Sequence, residues 1–299
     1  MEQQVATIGF FDGVHRGHRY LIEQVCRAAR ERGMKASVIT FPIHPRKVMQ
    51  PDFCPRLLTT CEEKSHLLLA TGIDYCHLIP FNSGIAHLSA CQFMELLKEK
   101  YNVQVLVIGH DHRFGHNRSE GFEDYVRYGE ALGMEVLPAQ AFYHDGRETV
   151  SSSLIRRLVT EGCMSQANDL LGYEYFLEGT VVSGYQVGRR IGFPTANLRV
   201  KEPDKLIPAD GVYAARVALD GKQLNGMLSI GRRPTLENGT ERSIETHIFD
   251  FDGDIYQAPM RITFVCRTRD ELKFDSPEAL RIRLQEDEKE IRKILQTTL

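Results

Sequence analysis

A change of hydrophobic period near residue 172 is the feature that most constrains the fold. Before it, short apolar runs alternate with segments of helical period: VATIGF precedes HRYLIEQVCRAARERG, and KASVITF precedes CEEKSHLLLATG. Three more apolar runs continue the rhythm, YCHLIPF, VQVLVIG and MEVLPAQAF. Because the connections are short, residues 1–172 are predicted to form a doubly wound α/β domain with a parallel sheet. Gly33 and Gly72 are predicted to end the first two helices.

Residues 173–299 have the period of β-strands. YFLEGTVVSG, GVYAARVALDGKQLNGMLSIG, SIETHIFDFDGDIY and APMRITFVCRT alternate in polarity and contain glycine turns such as LDGK. This pattern predicts an antiparallel barrel or sandwich, and we favour the barrel. The last run, SPEALRIRLQEDEKEIRKIL, has Ser276 as an N-cap and Pro277 in the first turn. A C-terminal helix is therefore predicted to follow the barrel.

Charge and hydropathy argue against several classes of partner. The formal net charge is −3 over 299 residues, whereas proteins that bind duplex nucleic acid use a basic face. No run approaches 18 apolar residues, so no membrane span is expected. The start, MEQQVATIGFF, has no basic segment followed by an apolar core, so we expect no signal peptide and a cytoplasmic location. A small anionic ligand stays compatible with this composition, because it needs only a local pocket.

The segment GFFDGVHRGH follows the first predicted strand, at the sheet edge where open α/β sheets bind ligands. Gly9, Gly13 and Gly17 let the backbone approach a ligand closely, and the N-terminus of the next helix favours an anion. His15 and His18 can donate hydrogen bonds to phosphate oxygens and stabilise charge in a transition state. The phosphate contacts predicted in this loop are Gly9, Phe10, Asp12 and Gly17.

A second phosphate-binding segment is TVSSSLIRR, where hydroxyl groups precede an arginine at the start of a predicted helix. The residues predicted to bind phosphate here are Ser152, Ser153 and Arg156. The sequence contains neither G-x-x-x-x-G-K-[ST] nor G-x-G-x-x-G, which argues against a P-loop and against a dinucleotide-binding fingerprint.

The second half carries its own motif, VGRRIGFPTANL. Thr195 and Asn197 lie two apart on an extended segment and present neutral oxygens to one side, which suits Mg²⁺ that already carries ATP phosphates. Glu245 lies on a predicted strand, where a carboxylate costs desolvation energy unless it has a partner or a task. The preceding loop is flexible and cationic, and it is predicted to bind phosphate through Gly188, Arg189 and Gly192.

Two other segments mimic metal sites. DFDGDIY starts like an EF-hand, but Ile255 and Arg261 stand where that loop needs glycine and glutamate, so a hairpin turn is predicted. GHDHRFGH places His110, Asp111 and His112 close together, without a glutamate base. A ligand-binding loop is favoured there over a transition-metal site.

Taken together, the motifs resemble one family. IGFFDGVHRGH, TFPIHPRKV, LLTTCEEK, IPFN, VIGHDHRFGHNR, VSSSLIR and VGRRIGFPTANL are similar, in order and spacing, to the prokaryotic bifunctional riboflavin kinase/FMN adenylyltransferase family, often called FAD synthetase. HRGH has the H-x-G-H form of the nucleotidyl-transferase superfamily. The resemblance implies a Rossmann-like nucleotidyl-transferase domain over 1–172 and a riboflavin-kinase-type barrel with its C-terminal helix over 173–299.

The same resemblance implies two reactions. The second domain would phosphorylate riboflavin to FMN with ATP, and Glu245 would accept the proton of the ribityl 5′-hydroxyl. The first domain would transfer AMP from ATP to FMN, giving FAD and pyrophosphate. Mg²⁺ is expected at both sites, and the expected partners are the small molecules riboflavin, FMN and ATP, with no nucleic acid and no membrane.

The resemblance also assigns residues. His15 and His18 would contact the ATP phosphates, and Ser152, Ser153 and Arg156 would hold the triphosphate. Three residues are implied on the flavin side of the sites, namely Asp111, Arg113 and Arg269. For Arg269 a surface ion pair is an equal alternative. The chain departs from the family pattern at Ile43, His112 and Ser153, where proline, phenylalanine and threonine are usual.

Two other classes of function stay open. An aminoacyl-tRNA ligase also combines an H-x-G-H motif with a later phosphate loop, but the β-rich second half with FPTAN argues against an anticodon-binding module. A barrel that senses flavin without turnover would be expected to lose its base. The presence of Thr195, Asn197 and Glu245 argues against that second alternative.

Overall fold

The computed structural model describes residues 1–50, 52–109, 112–116, 118–143, 150–184, 188, 191–234 and 240–297. The chain divides into two compact units, Met1–Ser152 and Ser153–Leu299. The sequence predicts a domain boundary after residue 172, whereas this division falls after Ser152. The boundary at residue 172 stays a prediction.

The first unit contains a five-stranded parallel sheet, as the sequence predicts. The strands are β1 (Gln4–Ile8), β2 (Lys35–Thr40), β3 (Tyr75–Leu78), β4 (Val103–Ile108) and β5 (Glu135–Pro138). Their order is β3-β2-β1-β4-β5, and all neighbouring pairs are parallel. The order reverses at β1, so the loop after β1 lies at the point where doubly wound sheets bind their ligands.

Helices cover both faces of this sheet. They are α1 (Arg16–Arg32), α2 (Pro45–Met49), α3 (Cys61–Leu69), α4 (Ser83–Ala86), α5 (Ala90–Tyr101) and α6 (Phe122–Leu132). Alternate residues of β1 point to opposite faces: Val5 packs in the core beneath α1, and Ala6 packs in the core beneath α5. This arrangement explains why β1 is buried along its whole length.

The helix ends follow local capping signals. Gly33 ends α1 in the left-handed conformation with φ of 62°, as predicted. Thr60 begins α3 with a capping box completed by Glu63. The predicted end of α3 at Gly72 is wrong: the helix ends at Leu69, and Gly72, with φ of 90°, lies in the turn that follows. The short helices α2 and α4 have too few turns to show a hydrophobic period.

The second unit contains a closed antiparallel barrel followed by a C-terminal helix, as predicted, and two helices that the prediction assigned to the first domain. Two helices come first, α7 (Ser152–Glu161) and α8 (Met164–Leu171). The strands are β6 (Phe176–Val182), β7 (Ala196–Val200), β8 (Gly211–Leu219), β9 (Lys222–Pro234), β10 (Thr240–Ile248) and β11 (Pro259–Arg269), and helix α9 spans Pro277–Thr297. The barrel closes in the order β10-β7-β6-β11-β8-β9. Within the portion of the chain that is described, no helix is long and apolar enough to cross a membrane.

Two glycine turns that look alike in sequence have different structures. LDGK joins β8 to β9, and Leu219 pairs with Lys222 across a two-residue hairpin in which Asp220 and Gly221 both have positive φ. The hairpin predicted at DFDGDIY is wrong. That segment connects β10 to β11, which are not neighbours in the barrel, because strand order rather than turn chemistry decides which strands pair.

Candidate active sites

The loop after β1 is held in an unusual backbone conformation. Phe11 and Val14 have φ values of 55° and 38°, and Gly13 has a φ of 80°. Non-glycine residues seldom adopt this region, and such strain concentrates at functional sites. A side chain at Gly17 would place its Cβ 3.3 Å from the His15 ring and 3.5 Å from the Val150 carbonyl oxygen. Gly17 therefore keeps the space beside the first histidine open.

The two histidines form one unit at the start of α1. His15 is the N-cap, and its Nδ1 accepts a hydrogen bond from the backbone N–H of His18 at 3.3 Å. Their rings stack with centroids 3.6 Å apart. Burial, together with the charges of His15 and Lys64, holds the pKa of His18 well below its ordinary 6.5. His18 is therefore neutral at pH 7, and its Nδ1 is buried without a hydrogen-bond partner.

Asp12 fixes the loop to a neighbouring segment. Its carboxylate, 2% exposed, accepts hydrogen bonds from the backbone N–H groups of Leu58 (3.1 Å) and Thr59 (3.0 Å). The hydroxyl of Ser152 donates to the Asp12 carbonyl oxygen at 2.9 Å. Asp12 and Ser152 thus shape the loop, and their contact with ATP stays a prediction. Ser153 and Arg156 lie further along α7, in the second unit, and their role also stays a prediction.

A cavity of about 520 Å³ opens beside this loop, within the range of small-molecule sites. Its wall combines aromatic rings with guanidinium groups, among them Phe10, Phe41, Phe81, Arg46, Arg113 and Arg118. Arg113 was predicted on the flavin side and does line the cavity. Asp111, predicted with it, lies outside the described residues. An apolar, aromatic interior with cations at its wall suits a flat, partly anionic ligand.

His112 also lines this cavity. Its burial, reinforced by the positive charge of Arg118, lowers its pKa to about 4. The Nε2 atom of His112 is buried without a hydrogen-bond partner. His112 is therefore a neutral polar group in a largely apolar wall.

Lys64 ends the LLTTCEEK motif, but the sequence analysis predicts no role for it. It lies on α3 and is 1% exposed, on the same helix face as the fully buried Leu68. Its Nζ donates a hydrogen bond to the Phe41 carbonyl oxygen at 2.8 Å and lies 3.9 Å from the centre of the Phe10 ring. Desolvation lowers the pKa of Lys64 to about 8. A charged residue at a core position of the helical period was the available signal.

The barrel brings three of the predicted residues together. Glu245 on β10 pairs in register with Asn197 on β7. The Thr195 hydroxyl donates a hydrogen bond to Oε2 of Glu245 at 3.2 Å, and the Ser243 hydroxyl donates to Oε1 at 3.1 Å. Two hydroxyl groups therefore orient the carboxylate. Ser243 is a second residue that the motifs did not reveal, although it lies two residues before Glu245 and so on the same face of the strand.

The loop before Thr195 closes tightly on itself. The Phe193 N–H donates to the Gly188 carbonyl oxygen at 2.8 Å, and a Cβ at Gly188 would lie 2.2 Å from the Phe193 carbonyl oxygen. Gly192 has a φ of 86°. Both glycines are therefore required by the turn. Arg189, predicted with them to bind ATP, lies outside the described residues.

A second cavity, of about 310 Å³, lies beside Thr195. Pro194, Thr246, Phe251 and Tyr256 also line it. Thr246 is fully buried, and its hydroxyl oxygen has no hydrogen-bond partner. An unpaired buried hydroxyl is costly in a folded protein, which makes this wall a candidate contact for a ligand.

Arg269 has a structural partner. Its Nε lies 2.9 Å from Oδ2 of Asp287, whose side chain is fully buried on α9, and Arg283 reaches the same carboxylate at 2.9 Å. Its Nη1 donates to the Asp270 carbonyl oxygen at 2.8 Å. The guanidinium thus connects β11 to α9, and its role as a flavin contact stays a prediction.

No transition-metal cluster is found in the part of the chain that the structure describes: no group of three His, Cys, Asp or Glu side chains could hold an ion there. His110 and Asp111 of the GHDHRFGH segment lie outside that part. Thr195, Asn197 and Glu245 offer a hydroxyl, an amide and a carboxylate side by side. These hard oxygen ligands fit Mg²⁺, a cation that prefers oxygen ligands and keeps several of its waters.

Fold and sites together define a two-part protein class: an α/β unit of nucleotidyl-transferase type followed by a riboflavin-kinase-type barrel. The FAD synthetase family matches residues 1–154, and the riboflavin kinase family matches residues 171–295. Proteins described as bifunctional riboflavin kinase/FMN adenylyltransferase are 36% identical in Listeria monocytogenes (97% of this chain, 91% of the relative) and 34% identical in Escherichia coli K12 (95% and 90%). The chain belongs to the bifunctional riboflavin kinase/FMN adenylyltransferase family.

The fold of the whole chain also occurs in a solved structure. A crystal structure described as a macrolide-efflux protein from Streptococcus pneumoniae is 32% identical and matches with a TM-score of 0.90. The match covers 97% of this chain and 94% of that one.

Proposed function

We propose that the chain catalyses two successive steps of flavin cofactor synthesis, each in its own unit. The barrel phosphorylates riboflavin with ATP to give FMN and ADP, and the α/β unit adenylylates FMN with a second ATP to give FAD and pyrophosphate. The family membership of both halves supports the two activities. The observation that carries the division of labour is that each unit has its own cavity next to its own motif residues.

In the kinase reaction Glu245 is proposed as the general base. It accepts the proton of the ribityl 5′-hydroxyl while that oxygen forms a bond to the γ-phosphorus of ATP and the bond to the β-phosphate oxygen breaks. The hydrogen bonds from Thr195 and Ser243 fix both carboxylate oxygens. A base held in this way needs little reorganisation at the moment of transfer.

Mg²⁺ is proposed to enter the barrel with ATP, beside Thr195 and Asn197. A threonine hydroxyl has one proton and two lone pairs, so Thr195 can donate to Glu245 and still offer an oxygen to a cation. When bound, Mg²⁺ neutralises charge on the ATP phosphates. The cavity beside Thr195 is proposed to hold part of this nucleotide.

Adenylyl transfer needs no protein base, because the FMN phosphate is already an anion. A phosphate oxygen of FMN forms a bond to the α-phosphorus of ATP, and pyrophosphate leaves with the electrons of the broken bond. His15 and His18, with the N–H groups at the start of α1, are proposed to donate hydrogen bonds to the phosphate oxygens. The stacked histidine pair and the anchored loop pre-arrange these donors.

The larger cavity of the first unit is proposed to hold the FMN that is adenylylated. Its aromatic wall suits the flat flavin ring system, and Arg113 is placed in that wall to meet a polar or anionic edge of the ligand. Asp111 is proposed on the same side from the family resemblance alone. Because the substrates are ATP and flavins, we expect a cytoplasmic enzyme.

Two variants of the full chain test this assignment, and each is the control for the other. With riboflavin and Mg-ATP, Glu245→Gln should lose about 10²- to 10⁴-fold in FMN formation and retain FAD formation from added FMN. Replacing both His15 and His18 by asparagine should have the opposite effect. Separation of the flavins by chromatography measures both reactions. Equal loss of both reactions in either variant would contradict the division of labour.

A further inference from the structure

Lys64 is a buried cation to which neither proposed reaction gives a task. Lysine is rarely buried to this extent without an ion-pair partner. Within the described chain, the one hydrogen-bond acceptor of its ammonium is the Phe41 carbonyl oxygen, 2.8 Å away, although an ammonium has three donors. The Phe10 ring provides a cation–π contact at 3.9 Å. A neutral side chain of similar length would pack here without the desolvation cost.

The position of Lys64 connects the two parts of the adenylyl-transfer site. Phe10 and Phe41 line the flavin-side cavity, so the ammonium lies directly behind its wall. The charge of Lys64 also acts on His18, which belongs to the phosphate-binding loop. Lys64 is therefore placed where the apolar flavin pocket meets the anion-binding loop.

The ionisable groups around Lys64 come from four elements. Cys61 lies on the same helix, Asp12 on the loop after β1, and Cys76 on β3, while His18 comes from α1. Asp12 is the carboxylate among them, and its oxygens accept hydrogen bonds from backbone N–H groups. Asp12 acts on the ammonium of Lys64 electrostatically, whereas the hydrogen bond of that ammonium goes to the Phe41 carbonyl oxygen.

We propose that Lys64 is a positioning residue of FMN adenylylation: its ammonium fixes Phe10 and the Phe41 carbonyl at the cavity wall and provides the positive potential that draws the FMN phosphate to the loop. This inference rests on the proposed function of the first unit. Two charges that interact through a protein interior of low dielectric constant attract more strongly than in water. The potential favours FMN, which carries a phosphate, over the neutral riboflavin.

The test compares the wild-type chain with Lys64→Met, which removes the charge, and Lys64→Arg, which keeps it at any accessible pH. The matched control is Lys98→Met. Lys98 is another lysine of the first unit whose ammonium donates to carbonyl oxygens, those of Leu132 and Gly133, at the end of α6. Formation of FAD from FMN and Mg-ATP is measured between pH 6.5 and 9.5, with kcat and the KM for FMN determined separately.

Lys64→Met should raise the KM for FMN about 10-fold or more at pH 7, whereas Lys98→Met should leave it unchanged. In the wild type, kcat/KM for FMN should fall above a pH of about 8, where Lys64 loses its proton. This fall should be absent in Lys64→Arg and in Lys64→Met. The kinase reaction, measured in the same samples, should show no such change.

Three results separate the possibilities. If the wild type forms no FAD, the proposed function fails. If the wild type forms FAD and Lys64→Met has an unchanged KM for FMN, the role of Lys64 is wrong while the function stands. If neither variant folds, the wild-type pH profile decides: a kcat/KM for FMN that stays flat through pH 8 to 9.5 overturns the inference, and a fall confined to adenylylation supports it.

Discussion

Removal of Arg269 should destabilise the second unit through the carboxylate that it leaves behind. Asp287 is fully buried, and it accepts hydrogen bonds from Nε and Nη2 of Arg269 at 2.5 to 3.0 Å. Loss of one partner of a buried ion pair costs about 3–5 kcal/mol, because the remaining charge is uncompensated. Arg283 keeps its contact with Asp287 at 2.9 Å, so the lower end of that range applies.

A loss of about 3 kcal/mol corresponds to a fall of about 9 °C in the Tm of a unit of this size. We therefore expect Arg269→Met to lower the Tm of the second unit by about that amount. Differential scanning calorimetry of the full chain measures it. On the proposed function, riboflavin binds the barrel, so the transition of the second unit is the one that added riboflavin should raise. The control is Arg281→Met, which removes an exposed pair with Glu278 and should leave the Tm unchanged.

A double variant isolates the physical cause. In Arg269→Met the buried carboxylate of Asp287 keeps Arg283 as an ion-pair partner. Adding Asp287→Asn removes that buried charge, so more than half of the lost Tm should return. A fall of less than about 2 °C for Arg269→Met would refute the stabilising role. If that variant kept its Tm but raised the KM for riboflavin, Arg269 would instead be the flavin contact that the family resemblance implies.

Three further predictions concern the two sites and their stability. Thr195→Val keeps the shape but removes the donor to Glu245, so FMN formation should fall about 10- to 100-fold while FAD formation from FMN is unchanged. Asp12→Asn replaces one carboxylate oxygen by an NH₂ group, which cannot accept the hydrogen bonds that the backbone N–H groups of Leu58 and Thr59 donate. FAD formation should therefore fall while kinase activity is retained. The free energy of unfolding should drop by about 1–3 kcal/mol. Folding lowers the pKa of Lys64 from 10.5 to about 8. Between pH 8 and 10.5, Lys64 is therefore protonated in the unfolded chain and neutral in the folded chain. Relative to Lys64→Met, the wild type should therefore gain about 3 kcal/mol of stability as pH rises from 8 to 10.5, measured by urea unfolding followed by circular dichroism.

Local patterns predict local structure well in this chain. The change from helical period to β alternation predicts both units, because side-chain periods of 3.6 and 2 follow from backbone geometry. The cap at Gly33 and the Asp220–Gly221 hairpin are equally local, since a single left-handed residue or pair determines each. The end of α3 was mispredicted. The helix stops at Leu69, and the left-handed Gly72 lies in the turn three residues later, so this glycine does not mark the helix end.

The amino-acid sequence alone determined the two fold classes, the family, and which residue types stand in the HRGH and PTAN segments. Tertiary structure decided which groups meet. It placed Thr195 and Ser243 on the Glu245 carboxylate and gave Arg269 its partner on α9. It also put Lys64 behind the aromatic wall of the larger cavity. These contacts depend on strand order and on which helix face is buried, and residues distant in the chain meet only when the sheet and the barrel have formed.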